Sequence, residues 1–405
     1  MVGMIVDLHA HYPMHLVPDE RRSTLDVLVT GKGRSRWRDR IRALLVGLAS
    51  RFANYRSFET GPRVTVDELR DGQVGAILSV LYSFFDELDL DAPYGADPEA
   101  GYIKRLIREL ELVEEDIAEN HAGEATVAHS FGELEAALGA GRTALIHCIE
   151  GGFHLGPTPE AVERGVAELA RRGVAYVILA HLVWRGVATN SPALPFLSDR
   201  MYRLVFPQPD VGLSELGRAA VRAMVRERVL IDLSHMSERA LADTFALLEE
   251  LDPESRVPVI ASHAAFRFGQ QEYGVDEDTV RRIAARDGLV GLIMAQHQLN
   301  DGVRKGNTAT FEQSFEVICR HIDRLAEITG SHRHTGIGSD FDGFIKPTMG
   351  GLESMADMRI LQAALQDRYG AADAEAICSG NALRVLRAGW GGANRDGQRQ
   401  AGAHR

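Results

Sequence analysis

Short apolar runs recur along the chain, and helical patterns separate them. Most of the runs are continuously apolar rather than alternating, which is typical of parallel strands covered on both faces. The intervening stretches carry apolar residues at three- and four-residue spacing, as in PEAVERGVAELARRG, where Thr158 is a candidate N-cap. The eight runs are GMIVDLHAH, VGAILSVLYSF, TALIHCIEGG, VAYVILAHL, VLIDLSHMS, VPVIASHAAF, LVGLIMAQH and HTGIGSDFDG.

Strand and helix repeated eight times predict an α/β fold of the (β/α)8 TIM-like barrel type. A doubly wound open sheet is the alternative, but no Gly-rich fingerprint follows the first strand. We assign residues 1–390 to one barrel domain, with residues 12–73 as a helical insertion after the first strand. Residues 391–405 are rich in Gly, Arg and Gln and are predicted to be a disordered tail.

The insertion contains a basic amphipathic stretch at residues 34–58, RSRWRDRIRALLVGLASRFANYRSF. A membrane-surface helix is one interpretation of such a pattern. Because the chain as a whole is acidic, we favour a lid or a subunit contact.

Charge and cysteine usage limit the partners and the compartment. The 405 residues carry a formal net charge of −12, so no broad excess of Lys and Arg is available for phosphates and we expect no nucleic-acid partner. Cys148, Cys319 and Cys378 are scattered and form no disulfide framework, which favours a reducing compartment. The first segment becomes polar too early for a signal peptide, and no run approaches the roughly 18 apolar residues of a membrane span. We therefore expect a cytoplasmic protein without a membrane partner.

Polar side chains close six of the apolar runs. Barrel enzymes build their active sites at the carboxyl ends of several strands, so these side chains are predicted to converge. His9 and His11 share one strand face, and paired imidazoles suit a first-row metal. Taken singly, each group has an ordinary structural interpretation, but together they predict a metal site. The groups are His9, His11, Glu150, His181, His235, His263 and Asp340.

Other residues near these ends have weaker signals. Asp7 shares the face of His9, and we expect it to accept a hydrogen bond from a ligand imidazole. His154 remains open as a site residue because it follows Glu150 closely. The remaining histidines default to structural or surface roles, and they include His15, His129, His147, His297, His332 and His334.

The order of the motifs resembles the renal (membrane) dipeptidase family of binuclear zinc peptidases, within the amidohydrolase superfamily. The motifs are DLHAHYP, IEGG, LAH, DLSHMS, ASHAAFR and GSDFDG, followed by GNALRVL, and the likeness runs from about residue 4 to residue 388. The resemblance implies a distorted barrel that holds two Zn²⁺ ions bridged by Glu150 and a hydroxide. It also implies a small dipeptide-like substrate and a homodimer.

Site roles carry over from the family motif by motif. His9 and His11 match the ligands of one zinc ion, while His235 and His263 match those of the other. Asp340 matches the residue proposed to shuttle the proton, and His181 matches a substrate-binding histidine near the scissile carbonyl.

Two departures from the family keep other functions open. The first motif usually reads His-x-Asp, whereas here His11 replaces the aspartate and leaves the cluster one unit more positive. The wider superfamily uses His-x-His at this strand, which keeps a non-peptidase amidohydrolase acting on N-acyl amino acids or lactones as the alternative. A catalytically silent metal-binding barrel is a third hypothesis.

The second departure concerns the substrate carboxylate. Family dipeptidases bind it with an arginine downstream of the second zinc-ligand motif, where an ungapped count places Gln271 to Tyr273. Arg267 and Tyr273 are therefore the candidate substrate-binding residues here, and a structural role is the alternative for Arg267.

Overall fold

The computed structural model describes residues 3–16, 62–87, 93–343, 345 and 347–391, together with six positions between 37 and 48. Its strands form one parallel sheet in the order β2-β1-β9-β8-β7-β6-β5-β4-β3, and β2 also pairs with β4, which closes a barrel of eight strands. The strands are β1 (Ile5–Ala10), β2 (Val74–Leu81), β3 (Ala125–Val127), β4 (Thr143–Glu150), β5 (Tyr176–Ile178), β6 (Leu230–Asp232), β7 (Val259–Ala264), β8 (Leu289–Leu292) and β9 (Thr335–Ile337).

The barrel prediction is confirmed, and each of the eight predicted runs contains one barrel strand. Sequence reasoning missed β3, which pairs with the start of β4 beside the barrel at Thr143 to Leu145. At three residues it is too short to form a recognisable apolar run.

Helices cover the outside of the barrel, and several begin where a Ser, Thr or Asp side chain accepts a backbone N–H bond. Thr158 accepts from the N–H of Ala161, so the predicted cap is confirmed. The described helices are α1 (Val66–Asp71), α2 (Phe84–Glu87), α3 (Tyr102–Asn120), α4 (Phe131–Gly139), α5 (Pro159–Arg171), α6 (Asp199–Val205), α7 (Glu215–Glu227), α8 (Glu238–Leu251), α9 (Glu277–Ala285), α10 (Gln296–Leu299), α11 (Phe311–Thr329), α12 (Met358–Tyr369), α13 (Ala371–Glu375) and α14 (Asn381–Gly389). Short 3-10 turns span Tyr12–His15, Gly152–Leu155, His332–His334 and Met355–Asp357, and a π-helical turn spans Ala376–Gly380.

Most of the amphipathic stretch predicted as a lid or subunit contact lies outside the described residues. At its described positions, four apolar side chains are exposed at helical spacing, namely Trp37, Ile41, Leu44 and Leu48. Leu45 is partly buried against the core. The predicted tail lies outside the described residues from position 392 onward. None of the described helices is long and apolar enough to cross a membrane.

Parallel pairing around the closed barrel determines where the site forms. The carboxyl ends of all eight strands open at the same mouth, so a side chain that closes one strand faces those that close its neighbours.

Candidate metal centre

Six strand ends deliver the predicted site residues to one buried cluster. His9 lies in β1, Glu150 ends β4 and His263 lies in β7, while the other groups follow their strands within a few residues. All of these side chains are buried, and even Asp340 is only 8% exposed. The predicted convergence of residues remote in sequence is therefore present in the structure.

Glu150 lies at the centre of this cluster, with imidazoles around both of its oxygens. Adjacent ligands of a tetrahedral zinc ion lie about 3.3 Å apart when its bonds are about 2.0 Å. The distances around Glu150 are close to that spacing. Its Oε1 lies 3.5 Å from Nε2 of His9, His235 and His263, and its Oε2 lies 3.6 Å from Nε2 of His11 and 3.3 Å from Nε2 of His181.

The hydrogen bonds of His9 leave a ligand atom free. Its Nδ1 lies 2.8 Å from the hydroxyl of Tyr176, which donates to the carbonyl of Leu8 at 2.9 Å. Nδ1 therefore carries the proton, and Nε2 presents a lone pair. That Nε2 is buried and has no hydrogen-bond partner among the described residues, as a metal ligand requires.

A second pair of imidazoles also requires a cation or a shared proton. Nε2 of His235 lies 2.9 Å from Nε2 of His263, whose Nδ1 lies 3.0 Å from the Ser262 hydroxyl. Burial lowers the pKa of His235 to about 4, and burial together with neighbouring imidazoles holds the pKa of His263 well below its usual value. Two neutral rings that face each other through nitrogen fit a metal ion between them.

His11 and Asp340 lie within hydrogen-bonding distance of each other at the edge of the cluster. Nε2 of His11 lies 3.0 Å from Oδ1 of Asp340. Burial opposes charge on His11, but the carboxylates of Asp340 and Glu150 outweigh it and raise the pKa of His11.

Asp340 and His235 have φ values of 60° and 65°, in the left-handed region that residues other than Gly rarely adopt. Such strain is concentrated at functional sites.

A glycine turn holds Glu150 at the mouth of the barrel. Burial raises the pKa of Glu150 to about 7, against the opposing effect of the His181 and His11 imidazoles. Gly151 follows with φ of 95°, and a Cβ there would lie 2.3 Å from the ring of Phe153. Glycine therefore lets the chain leave β4 directly after the carboxylate.

Glu87 is a site residue that sequence reasoning missed. Its Oε2 accepts from Tyr82 OH at 2.5 Å and lies 2.7 Å from Nδ1 of His181, while its Oε1 accepts from the N–H of Val183 at 2.9 Å. Burial alone would raise the pKa of Glu87, but His181 and these hydrogen bonds lower it. The carboxylate orients His181 so that its Nε2 faces Glu150. The one sequence signal for Glu87 was that it belongs to an acidic pair soon after strand β2.

The two candidate substrate-binding residues have different surroundings. The Tyr273 ring lines the cavity above the cluster, and its hydroxyl donates to the carbonyl of His263 at 2.7 Å. The guanidinium of Arg267 donates to the carbonyls of Gly274 and Glu272 and pairs with Glu238. Arg267 is not among the described residues that line the cavity. Those residues are His11, Glu150, His181, Leu182, Ala193, His235, Tyr273, His297, Gln298, Asp340 and Ile345.

Asp7 and His154 support the backbone around the cluster. Oδ1 of Asp7 accepts from the N–H groups of His9 and Ser339, both at 3.0 Å, so the expected bond to an imidazole is replaced by backbone contacts. Nδ1 of His154 lies 2.8 Å from the carbonyl of Gly151. His154 therefore supports the turn after Glu150 rather than the cluster itself.

The fold and this cluster define a class of protein, a parallel (β/α)8 barrel with a buried centre that could hold metal. Three overlapping groups of ligand-type atoms lie close enough to hold an ion, namely His9 with Glu150 and His263, His9 with His11 and Asp340, and Glu150 with His181 and His235. The sequence profile of the membrane dipeptidase family, peptidase family M19, matches residues 33–395. The chain therefore belongs to the membrane dipeptidase family, and the resemblance seen in its motifs is confirmed.

Individual relatives agree with this assignment. Dipeptidase 3 of Rattus norvegicus is 27% identical over 339 residues, which cover 82% of this chain and 60% of that protein. An uncharacterized dipeptidase of Schizosaccharomyces pombe is 29% identical over 250 residues, which cover 60% of this chain and 53% of that protein. The chain thus spans little more than half the length of these curated relatives.

Solved structures agree on the fold. A metallopeptidase from Rhodobacter sphaeroides superimposes with a TM-score of 0.67 at 20% identity, and the match covers 96% of this chain and 99% of that one. A crystal structure of a dipeptidase of family M19 gives a TM-score of 0.66 at 19% identity and covers 96% and 100% of the two chains.

Proposed function

We propose that this chain is a metal-dependent dipeptidase that hydrolyses the amide bond of dipeptides or similar small substrates. The observation that carries the proposal is the ring of imidazole Nε2 atoms around the two oxygens of Glu150. The Rhodobacter sphaeroides metallopeptidase was crystallised with a phosphinate mimic of the dipeptide L-Ala-D-Ala, which supports a dipeptide-sized substrate for the shared fold. Homodimer formation and a cytoplasmic location remain predictions.

Two zinc ions suit the donor set of this centre. His9 and His11 would hold one ion, His235 and His263 would hold the other, and Glu150 would bridge them. Zinc bound in this way supplies a water whose pKa falls toward about 7 and a Lewis acid for the scissile carbonyl.

The remaining polar groups would handle protons and developing charge. Asp340 lines the cavity beside His11 and would take the proton of the attacking water and pass it to the leaving amine. His181, whose Nδ1–H is held by Glu87, would stabilise the oxyanion that develops on the carbonyl by donating from Nε2 in its imidazolium form. Both residues line the same cavity as Glu150, which supports these roles.

A non-peptidase amidohydrolase is the second candidate. The observation that favours it is the lining of the cavity, because none of its described side chains is Arg or Lys to bind a substrate carboxylate. The replacement of the family's aspartate by His11 also favours a non-peptidase amidohydrolase. The substrates of this alternative would be N-acyl amino acids or lactones. The lining supports the lactones, which have no carboxylate, whereas N-acyl amino acids carry one as dipeptides do.

Asp340→Asn tests whether the cluster is catalytic. The variant should keep its metal and lose turnover by about 10²–10⁴-fold, because the amide cannot accept the proton. Asp342→Asn is the matched control, since its carboxylate accepts from the backbone N–H groups of Arg63 and Val64 instead. An equal, trace rate in wild type and Asp340→Asn would indicate contamination and an inert barrel.

A panel of dipeptides, N-acyl amino acids and lactones separates the two candidate functions. Cleavage of dipeptides supports the first. Turnover of the other two classes, with every dipeptide inert, would replace it with the second.

A further inference from the structure

A second group of ligand-type side chains lies on the outside of the barrel. Glu114 extends from α3, His129 follows β3 and His147 lies in β4. Oε1 of Glu114 lies 2.8 Å from Nε2 of His129 and 3.5 Å from Nε2 of His147. His147 and Glu150 are three residues apart in one strand, so their side chains face opposite sides of the sheet. This group is therefore separate from the metal centre.

The imidazole of His147 is buried without a hydrogen bond. Its side chain is 0% exposed, and neither ring nitrogen has a hydrogen-bond partner among the described residues. Buried polar atoms are almost always satisfied, so an unsatisfied ring directed at a carboxylate indicates a missing partner. Its Nε2 and Glu114 Oε1 are separated by about the spacing of two adjacent zinc ligands.

His129 lies between two carboxylates. Nδ1 of His129 lies 3.3 Å from Oε2 of Glu133, which also accepts from the backbone N–H of His129 at 2.8 Å, and Nε2 faces Glu114. A neutral imidazole has one N–H and cannot donate to both carboxylates. If Nδ1 donates to Glu133, Nε2 presents a lone pair toward Glu114 and His147. A carboxylate behind a histidine is the arrangement that orients metal-binding histidines.

We propose that Glu114, His129 and His147 form a second Zn²⁺ site, which joins α3, the segment after β3 and the strand β4. Two imidazoles and one carboxylate are a zinc-binding set, and the half-exposed His129 leaves room for water as the fourth ligand. The site takes no part in the proposed hydrolysis.

Zinc content measures the site directly. Wild type, His129→Ala and Glu114→Gln are equilibrated with the same zinc buffer, and bound zinc per chain is measured by elemental analysis. Each variant should hold one equivalent less than wild type, and its dipeptidase activity should be unchanged. His332→Ala is the matched control, because that imidazole also pairs with a carboxylate, Asp373 at 3.2 Å, but belongs to no three-residue ligand group in the described chain.

Thermal unfolding gives a second measurement. Added zinc should raise the unfolding midpoint of His129→Ala less than that of wild type or His332→Ala, since ions that bind the folded state stabilise it. Equal zinc content in wild type and both site variants, or equal shifts of the midpoint, would overturn the proposal. A site variant that keeps its full zinc content but loses activity would overturn the proposal as well, because its effect would then lie in the hydrolase centre.

Discussion

One carboxylate, Glu87, determines which way His181 faces. Its two oxygens take three hydrogen bonds, from Tyr82, His181 and the backbone of Val183, and it is 1% exposed. A buried ionised group of this kind keeps its charge because these three partners donate to it. The effect reaches the proposed reaction through the His181 ring.

Glu87→Gln should lower kcat/KM by about 10–100-fold, because the amide weakens the bond that holds the His181 ring. Metal content should stay at the wild-type value, since Glu87 contacts none of the proposed ligands. Tyr82→Phe is the comparison, because it removes one donor and keeps the carboxylate. Wild-type kinetics in Glu87→Gln would exclude this positioning role.

At this scale, the sequence revealed the residues that end apolar runs and missed the residues that support them. His9, Glu150 and His263 lie within or at the end of buried apolar strands, where a core residue would be apolar. Tyr176 lies within an apolar run and is indistinguishable from a core residue until its hydroxyl is seen beside His9. His147 and Glu114 come from a strand and a helix that only the folded chain brings together.

Among the secondary-structure elements, the turn after β4 depends on Gly151. A side chain at its φ of 95° is strained, and a Cβ would collide with Phe153. The double glycine was visible in the sequence, but its conformation depends on packing against the neighbouring strand.

Gly151→Ala should destabilise the fold by about 1–3 kcal/mol and reduce activity, because the turn places Glu150. Gly139→Ala in α4 is the control, since a Cβ there meets nothing within 4 Å and alanine is the better helix former. Urea unfolding and steady-state kinetics measure both effects. Equal stability of Gly151→Ala and wild type would show that the turn tolerates a side chain.

A buried ion pair connects the ends of α8 and α9. Oδ2 of Asp252 accepts from Arg286 at 2.9 Å and from the N–H of Val257 at 2.7 Å. Burial would raise the pKa of Asp252, but the N–H groups of Val257 and Arg256 and the Arg286 guanidinium lower it. A carboxyl with a lowered folded pKa stabilises the fold above its unfolded pKa of about 3.9, and this contribution is lost as the pH falls through the folded pKa.

Asp252→Asn should therefore lower the free energy of unfolding by about 2–4 kcal/mol at pH 7, because Arg286 stays buried without its partner. The difference from wild type should remain constant down to about pH 4 and shrink below it. Urea unfolding across a pH series measures this difference. Asp210→Asn, which breaks an exposed pair with Arg239, should show no such pH dependence. A constant difference at all pH values would contradict the assignment.

In the whole molecule, the closed barrel brings the six strand ends together. Its topology was predictable because continuous apolar runs repeat with helices between them, a pattern set by burial on both faces. The added strand β3 was not predictable, because three residues are too few to show a periodic pattern. The predicted insertion is bounded by β1 and β2, but most of it lies outside the described residues.

Removal of metal by a chelator should destabilise the protein without unfolding it. The core is formed by apolar side chains around the barrel, whereas the cluster joins the strands at one mouth. Zinc at 100 times its dissociation constant should add about 2.7 kcal/mol per site to the free energy of unfolding. Circular dichroism should show unchanged secondary structure and a lower melting temperature after chelation. Identical melting curves with and without zinc would argue against bound metal.

The 2.9 Å approach of His235 and His263 makes cation binding sensitive to acid. Both rings are neutral near pH 7, and a hydrogen ion that binds one of them at lower pH has to be displaced by an incoming cation. Hydrogen ions and metal ions thus compete for the same nitrogens, so occupancy depends on acidity as well as on supply. Acidification toward pH 4, where His235 gains a proton, would empty the barrel of metal while leaving its strands paired.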